Sequence, residues 1–293
     1  MWRAARATLA AGLLALGVAG CGSGDGTEGS ALVDPKRKPP INSLDVEPGS
    51  GALLLTTNRG FFRIAKREAQ RVSGQVRTPD GRSPVGTFLT VKALGGNRLL
   101  GSGHPDRKGR LEDFLGVLRS DDGGRRWRVV SRYGLSDLHV LRLLHGRIYA
   151  YDAVLPGLLV SEDGGKEWTE KATPPGLVLD LVVDPDDRDY LVVSNEREIF
   201  RSTDGGDSWR SIARAQSARL EWPRPGALYR TDEDGRVYRS DDRGESWEAL
   251  GTIDGEPWKL KAVGGDELYA ALADATVVHS KDEGRTWEER FKP

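Results

Sequence analysis

The chain of 293 residues has one cysteine, one methionine and four histidines. A lone Cys21 cannot close an internal disulfide, and four histidines beside it cannot build a zinc site of the multi-cysteine kind. A surplus of charge is missing as well, since 43 Lys and Arg against 44 Asp and Glu leave a formal charge of -1. Proteins that neutralise a phosphate backbone carry a basic excess, so nucleic acid is excluded as a partner. Sustained helical periodicity is absent after residue 42, and so is any apolar run long enough to span a bilayer. What is abundant is glycine, 37 residues, with 15 prolines, the composition of a loop-rich globular chain rather than a disordered one.

Residues 1–21, MWRAARATLAAGLLALGVAGC, place Arg3 and Arg6 before an apolar stretch and small residues before Cys21, the pattern of a secretory signal. Val18, Ala19, Gly20 and Cys21 resemble the bacterial lipobox. That resemblance implies cleavage before Cys21, lipid attachment to it, and an extracytoplasmic protein anchored to a membrane surface. Residues 22–42 are Gly, Ser, Pro and charge with little to bury, and are expected to form a flexible tether.

The remaining chain repeats. Five segments share one pattern, SDDGGRRW from Ser120, SEDGGKEW from Ser161, STDGGDSW from Ser202, SDDRGESW from Ser240 and SKDEGRTW from Ser280. Their serines are 41, 41, 38 and 40 residues apart, and a period of this length filled with short strands signals a propeller with four strands per blade. In each segment the Ser and Asp side chains can bond to nearby backbone N–H groups, the second Gly position can take positive φ, and the Trp can bury its ring beside the next strand.

S-x-D-x-G-x-x-W is similar to the Asp box, or BNR repeat, of sialidases, sortilin-type receptors and photosystem assembly factors. The resemblance implies an all-β propeller in which the boxes are structural turns on the face away from the ligand site. With residues 43–74 read as a blade whose box is worn away, and residues 84–131 as a second with an insertion, the expected fold is a six-bladed β-propeller over residues 43–293. The SGHP segment containing His104 and the Leu138-His139 pair further resemble a bacterial family of secreted Asp-box propellers labelled sialidase-like glycosyl hydrolases. That family often has histidines where this chain has Leu44-Asp45 and Asn58.

Naming the strands of each blade A to D outward from the axis, the D–A and B–C connections share one face and the A–B and C–D turns share the other. Aligning the six expected inner strands on a leading Leu puts Asp45, Thr90, His139, Asp180, Glu221 and Lys261 next in line. Since side chains alternate along a strand, these six are expected to ring the channel mouth on the D–A/B–C face and bind ligand there. Residues 101–116 form an expected long B–C loop, which brings His104 towards His139, Asp137 and Asp180; two histidines beside carboxylates are candidate metal ligands.

A glycosidase requires two carboxyl groups across the scissile bond, and Asp180 with Glu221 are the candidate catalytic pair. The Phe62-Arg63-Ile64 triplet matches part of a sialidase segment, yet it occupies the C-strand position that every repeat fills similarly. The sequence thus leads to a monomeric, lipid-anchored propeller, without a cofactor, that binds a cell-envelope protein or glycan on one face. A sialidase-like or other glycosidase is the alternative, and a membrane-protein assembly factor the second.

Overall fold

The computed structural model describes residues 41–106 and 111–293. The signal segment, Cys21 and residues 22–40 of the expected tether lie outside the described residues, as do Arg107 and Lys108 of the insertion. The first strand begins at Ile41, two residues inside the expected tether, because Ile41 is buried against the core and the Asn42 amide donates to the Phe88 carbonyl at 2.8 Å.

The described residues are all-β, without helices. They form five four-stranded antiparallel sheets, each built from consecutive strands in chain order. Six four-stranded blades were expected, but five are present, and the second repeat is not one of them. Its strands Gln75–Thr78, Gly81–Gly95, Arg98–Pro105, Val117–Ser120 and Arg126–Ser131 close on themselves as a barrel. The cause is an added hairpin, in which residues 75–78 pair with the start of the 15-residue strand Gly81–Gly95 and, in parallel, with residues 126–128. The first five residues of the sequence expected as a B–C loop are strand as well, since Arg98–Pro105 runs on past His104.

The innermost strands are Ile41–Val46, Gly81–Gly95, Leu138–Leu144, Asp180–Val183, Arg219–Glu221 and Pro257–Val263, and each packs beside the next around an axis. Six apolar clusters fill the spaces between neighbouring sheets. One of them joins Leu44, Phe62 and Ile64 of the first sheet to Tyr269, Val277 and Phe291 of the last. The ring therefore closes by packing between the first and last sheets, with no strand exchanged between sheets among the described residues.

The five repeated turns share one geometry. The Ser Oγ accepts the N–H of the Gly four residues on, at 2.7–2.9 Å, and donates to the Asp carboxylate two residues on. That carboxylate accepts the N–H of Arg126, Glu167, Ser208, Ser246 or Thr286, each four residues beyond its Asp. Gly124, Gly165, Gly206, Gly244 and Gly284 have φ between 89° and 96°, where a side chain is strained. Four of the Trp indoles donate to the carbonyl of that glycine, while Trp209 donates to the Ala172 carbonyl of the preceding sheet.

Candidate functional site

Strand pairing fixes which inner-strand residues stand at one level. Leu99, Ile148, Leu191, Leu228 and Leu268 lie opposite the repeated serines. The residues that follow them, Leu100, Tyr149, Val192, Tyr229 and Tyr269, face Lys92, Arg142, Val182, Glu221 and Lys261 on the inner strands, and Leu54 faces Asp45 in the first sheet. These six inner-strand residues line one cavity of about 360 Å³ whose rim is set by Leu144, Pro223 and Gly264, on the side of the A–B turns. Two residues earlier on each strand, and so on the same side, stand Ser43, Thr90, Val140, Asp180, Arg219 and Lys259. All of these but Arg219 line a narrow cleft above the cavity.

The expected single ring is therefore two layers. Asp45, Glu221 and Lys261 belong to the layer nearer the A–B turns, whereas Thr90 and Asp180 belong to the layer nearer the D–A connections. His139 sits in a register shift between Leu138 and Val140 and stands at the edge, with half of its side chain exposed. Alignment on a leading Leu fails because the strands run different lengths past that Leu and carry register shifts at residues 41–43, 138–140 and 257–259. Taking one residue per strand also leaves out Lys92, Arg142, Arg219 and Lys259. The signal that finds them is alternation counted from the box serines rather than from the Leu.

Arg142 organises the centre. Its guanidinium reaches across two sheets, donating to Glu221 Oε1 at 2.5 Å, to Asp180 Oδ1 at 2.7 Å, and to the Leu181 and Leu220 carbonyls. Asp180 accepts the Leu181 and Leu220 N–H groups as well. Burial alone would raise the Asp180 carboxyl, but Arg142 and then Lys259 beside it outweigh that effect and hold it below the usual carboxylate range. A general acid needs the opposite shift from that of Asp180, and the Arg142 guanidinium joins Asp180 to Glu221 as an ionic strut. Asp45 accepts the Ala93 N–H at 2.8 Å and pairs with Lys261 at 3.3 Å. Its carboxyl is likewise held low, with Lys261 and Lys92 opposing the upward push of burial.

Three carboxylates of the inner strands, Asp45, Asp180 and Glu221, thus face five bases, Lys92, Arg142, Arg219, Lys259 and Lys261, and the Glu256 carboxylate also acts on Arg219. Burial lowers Lys92 and Lys259 to about 8 each, despite the opposing pull of Asp45 on the first and Asp180 on the second.

On the D–A/B–C face, His104 and His139 do converge. His104 Nε2 lies 3.4 Å from one oxygen of Asp137 and His139 Nε2 lies 3.1 Å from the other. His104 Nδ1 is 2.8 Å from the Asp113 carbonyl, an arrangement in which the ring donates from that nitrogen. Asp180 lines the same narrow cleft as His139, but its carboxylate is bonded to Arg142 and to the Leu181 and Leu220 N–H groups. Among the described residues no group of three or more His, Cys, Asp and Glu side chains is arranged to hold a metal ion.

The same face carries Leu135, Val154, Leu155 and Leu177, four of the five large apolar side chains that are exposed among the described residues. Leu135 and Leu177 lie in D–A connections, and Val154 and Leu155 in the B–C loop between them. These segments are tied together, since the Ala153 N–H donates to the Asp137 carbonyl and the Thr173 hydroxyl to the Pro156 carbonyl. The patch therefore adjoins the Asp137 histidines.

No protein-family model matches the chain, and no curated protein does. Solved structures do resemble it. A GH74 xyloglucanase from Xanthomonas campestris superposes with a TM-score of 0.52 at 18% identity, over 85% of this chain and 38% of the enzyme. YCF48 bound to D1 peptide gives 0.53 at 18% identity, over 86% of this chain and 81% of that one. The extracellular domain of BT4673 from B. thetaiotaomicron gives 0.56 at 11% identity, over 86% and 33%. The chain spans little more than a third of the xyloglucanase and a third of the BT4673 chain. At these identities the likeness is one of architecture, and that architecture is the β-propeller.

Proposed function

We propose that this chain is a lipid-anchored, extracytoplasmic propeller of the Asp-box kind whose D–A/B–C face binds a protein of the cell envelope. The observation that carries the reading is the patch of Leu135, Val154, Leu155 and Leu177 beside the His104–Asp137–His139 trio. Four exposed apolar side chains gathered on three bonded loops are the kind of feature that marks a protein contact. Two likenesses of fold support it: YCF48 was solved with a peptide bound, and BT4673 contributes an extracellular domain. The lipobox resemblance at Cys21 supplies the anchor, and Cys21→Ala should move the protein from the membrane fraction to the soluble one.

The test is site-specific photo-crosslinking in cells from position 155 and, as control, from Asp207 on the box face. One defined envelope protein should be captured from position 155 alone, and Leu155→Asp with Leu177→Asp should abolish the product. Equal capture from both positions would sink the reading. Glycan binding and the glycosidase alternative rest on the resemblance to sialidase-like propellers and on the fold of GH74 enzymes. Turnover of aryl glycosides that is lost in Asp180→Ala or Glu221→Ala would establish that alternative; the Arg142 clamp on both carboxylates leads us to expect none.

A further inference from the structure

The central channel holds more positive charge than its own carboxylates neutralise, and the surplus is concentrated on identifiable groups. Arg142 is matched by Asp180 and Glu221, and Lys261 by Asp45. Among the described residues, Lys92 and Lys259 have no carboxylate oxygen within ion-pair distance; the buried Nε of Arg219 has no hydrogen-bond partner there either, although Asp180 and Glu256 partly offset its charge. Lys92 lines the 360 Å³ cavity directly. Lys259 lines the narrow cleft above it, a space of about 20 Å³ that admits no more than a water molecule. Of the two spaces, only the larger has room for a further ion.

We propose that this cavity, open on the side of the A–B turns, is a binding site for an oxyanion. Lys92 and the donors of Lys261 left over from its single contact with Asp45 would hold the anion's oxygens, while Lys259 and Arg219 contribute through their field. Asp45 and Glu221 also line the space, but each is already bonded to a base, so neither repels an incoming anion with a full free charge. Leu144, Pro223 and Trp222 at the rim exclude part of the surrounding water and strengthen the attraction inside. The site lies on the face opposite the proposed protein contact, and neither depends on the other.

Sulfate is the probe of choice because it keeps its double charge across the working pH range, and acetate provides a carboxylate for comparison. Titration calorimetry on the full chain at constant ionic strength in chloride should give saturable sulfate or acetate binding at pH 7. Which of the two binds more tightly identifies the oxyanion class. Lys92→Met should weaken the preferred anion at least tenfold, while Lys92→Arg and the surface control Lys171→Met should keep it. A second measurement needs no variant. Lys92 and Lys259 carry their charge below about pH 8 and lose it above, so affinity should fall at least tenfold between pH 7 and pH 9.5. No saturable binding of either anion at pH 7, or binding that ignores both Lys92→Met and the pH rise, overturns the proposal.

Discussion

Arg142 shows what one residue can fix in a propeller. A guanidinium with its donors spent on two carboxylates and two carbonyls ties the inner strands of three successive sheets together across the axis. Removing one partner of such a buried group leaves the others uncompensated, and Arg142→Ala should destabilise the protein by about 3–5 kcal/mol, measured by urea unfolding. The same cluster sets the acid limit. The folded Asp180 carboxyl lies below its ordinary value of 3.8, so its stabilising contribution is complete above about pH 4 and is lost as pH falls through the folded value. Stability of the unaltered chain should therefore drop more steeply below pH 4 than that of Asp180→Asn. At this scale the sequence was only partly legible. Asp45, Asp180, Glu221 and Lys261 were recognised as polar positions facing the axis, yet their pairing was not, because Arg142 lies 79 residues from Glu221 and no local pattern links them.

Among elements, the repeated turn is where sequence and structure agree most closely. Its bonds are local, spanning two to four residues, so the spacing of Ser, Asp and Gly specifies them directly. Two glycines in adjacent positions of one pattern should nevertheless respond differently. Gly164 has φ of 78° and open space around it, so Gly164→Ala should cost about 1 kcal/mol from backbone strain alone. Gly206 has φ of 96°, and an added Cβ would lie 2.3 Å from the Leu158 side chain, which is buried in the core of the preceding sheet and has nowhere to go. Gly206→Ala should cost roughly 2–4 kcal/mol, and thermal denaturation of the two variants side by side checks the ordering. The inner strands were harder to read for the converse reason. Their register is set by partners as much as 20 residues away and by irregularities that no residue type announces, so alignment on the Leu puts Thr90 and Asp180 two residues, and one layer, from Asp45, Glu221 and Lys261.

For the whole molecule, the period of the repeats foretold the ring but overstated its regularity. The second unit has a box, a Trp and the expected strands, but residues 75–78 add a strand that turns it into a closed barrel, and nothing in the repeat spacing marks that hairpin. Closure by packing places the heaviest demand on the seam between first and last sheets. Phe291, two residues from the last residue of the chain, is almost fully buried there, and Phe291→Ala should cost about 3–5 kcal/mol. If the seam holds the ring shut, hydrogen exchange in that variant should speed up together in residues 41–46 and 257–263; acceleration confined to residues 288–291 would show a merely local role.

The turns also reach beyond their own sheets. The Ser131 hydroxyl donates to the Gly165 carbonyl, the Ala172 N–H to the Gly206 carbonyl and the Tyr190 hydroxyl to the Arg243 carbonyl, while Arg224 and Arg239 both grip Glu283. Four of the five turns are thus completed by the sheet before them. The smallest portable module is therefore a junction rather than a blade. A chimera cut within an A–B turn would carry a blade's three outer strands, its box and the next inner strand, but would part that box from the blade on which it leans. Cuts that keep a turn with its upstream neighbour should recombine freely, which makes the interface between units the natural currency of duplication in such a ring.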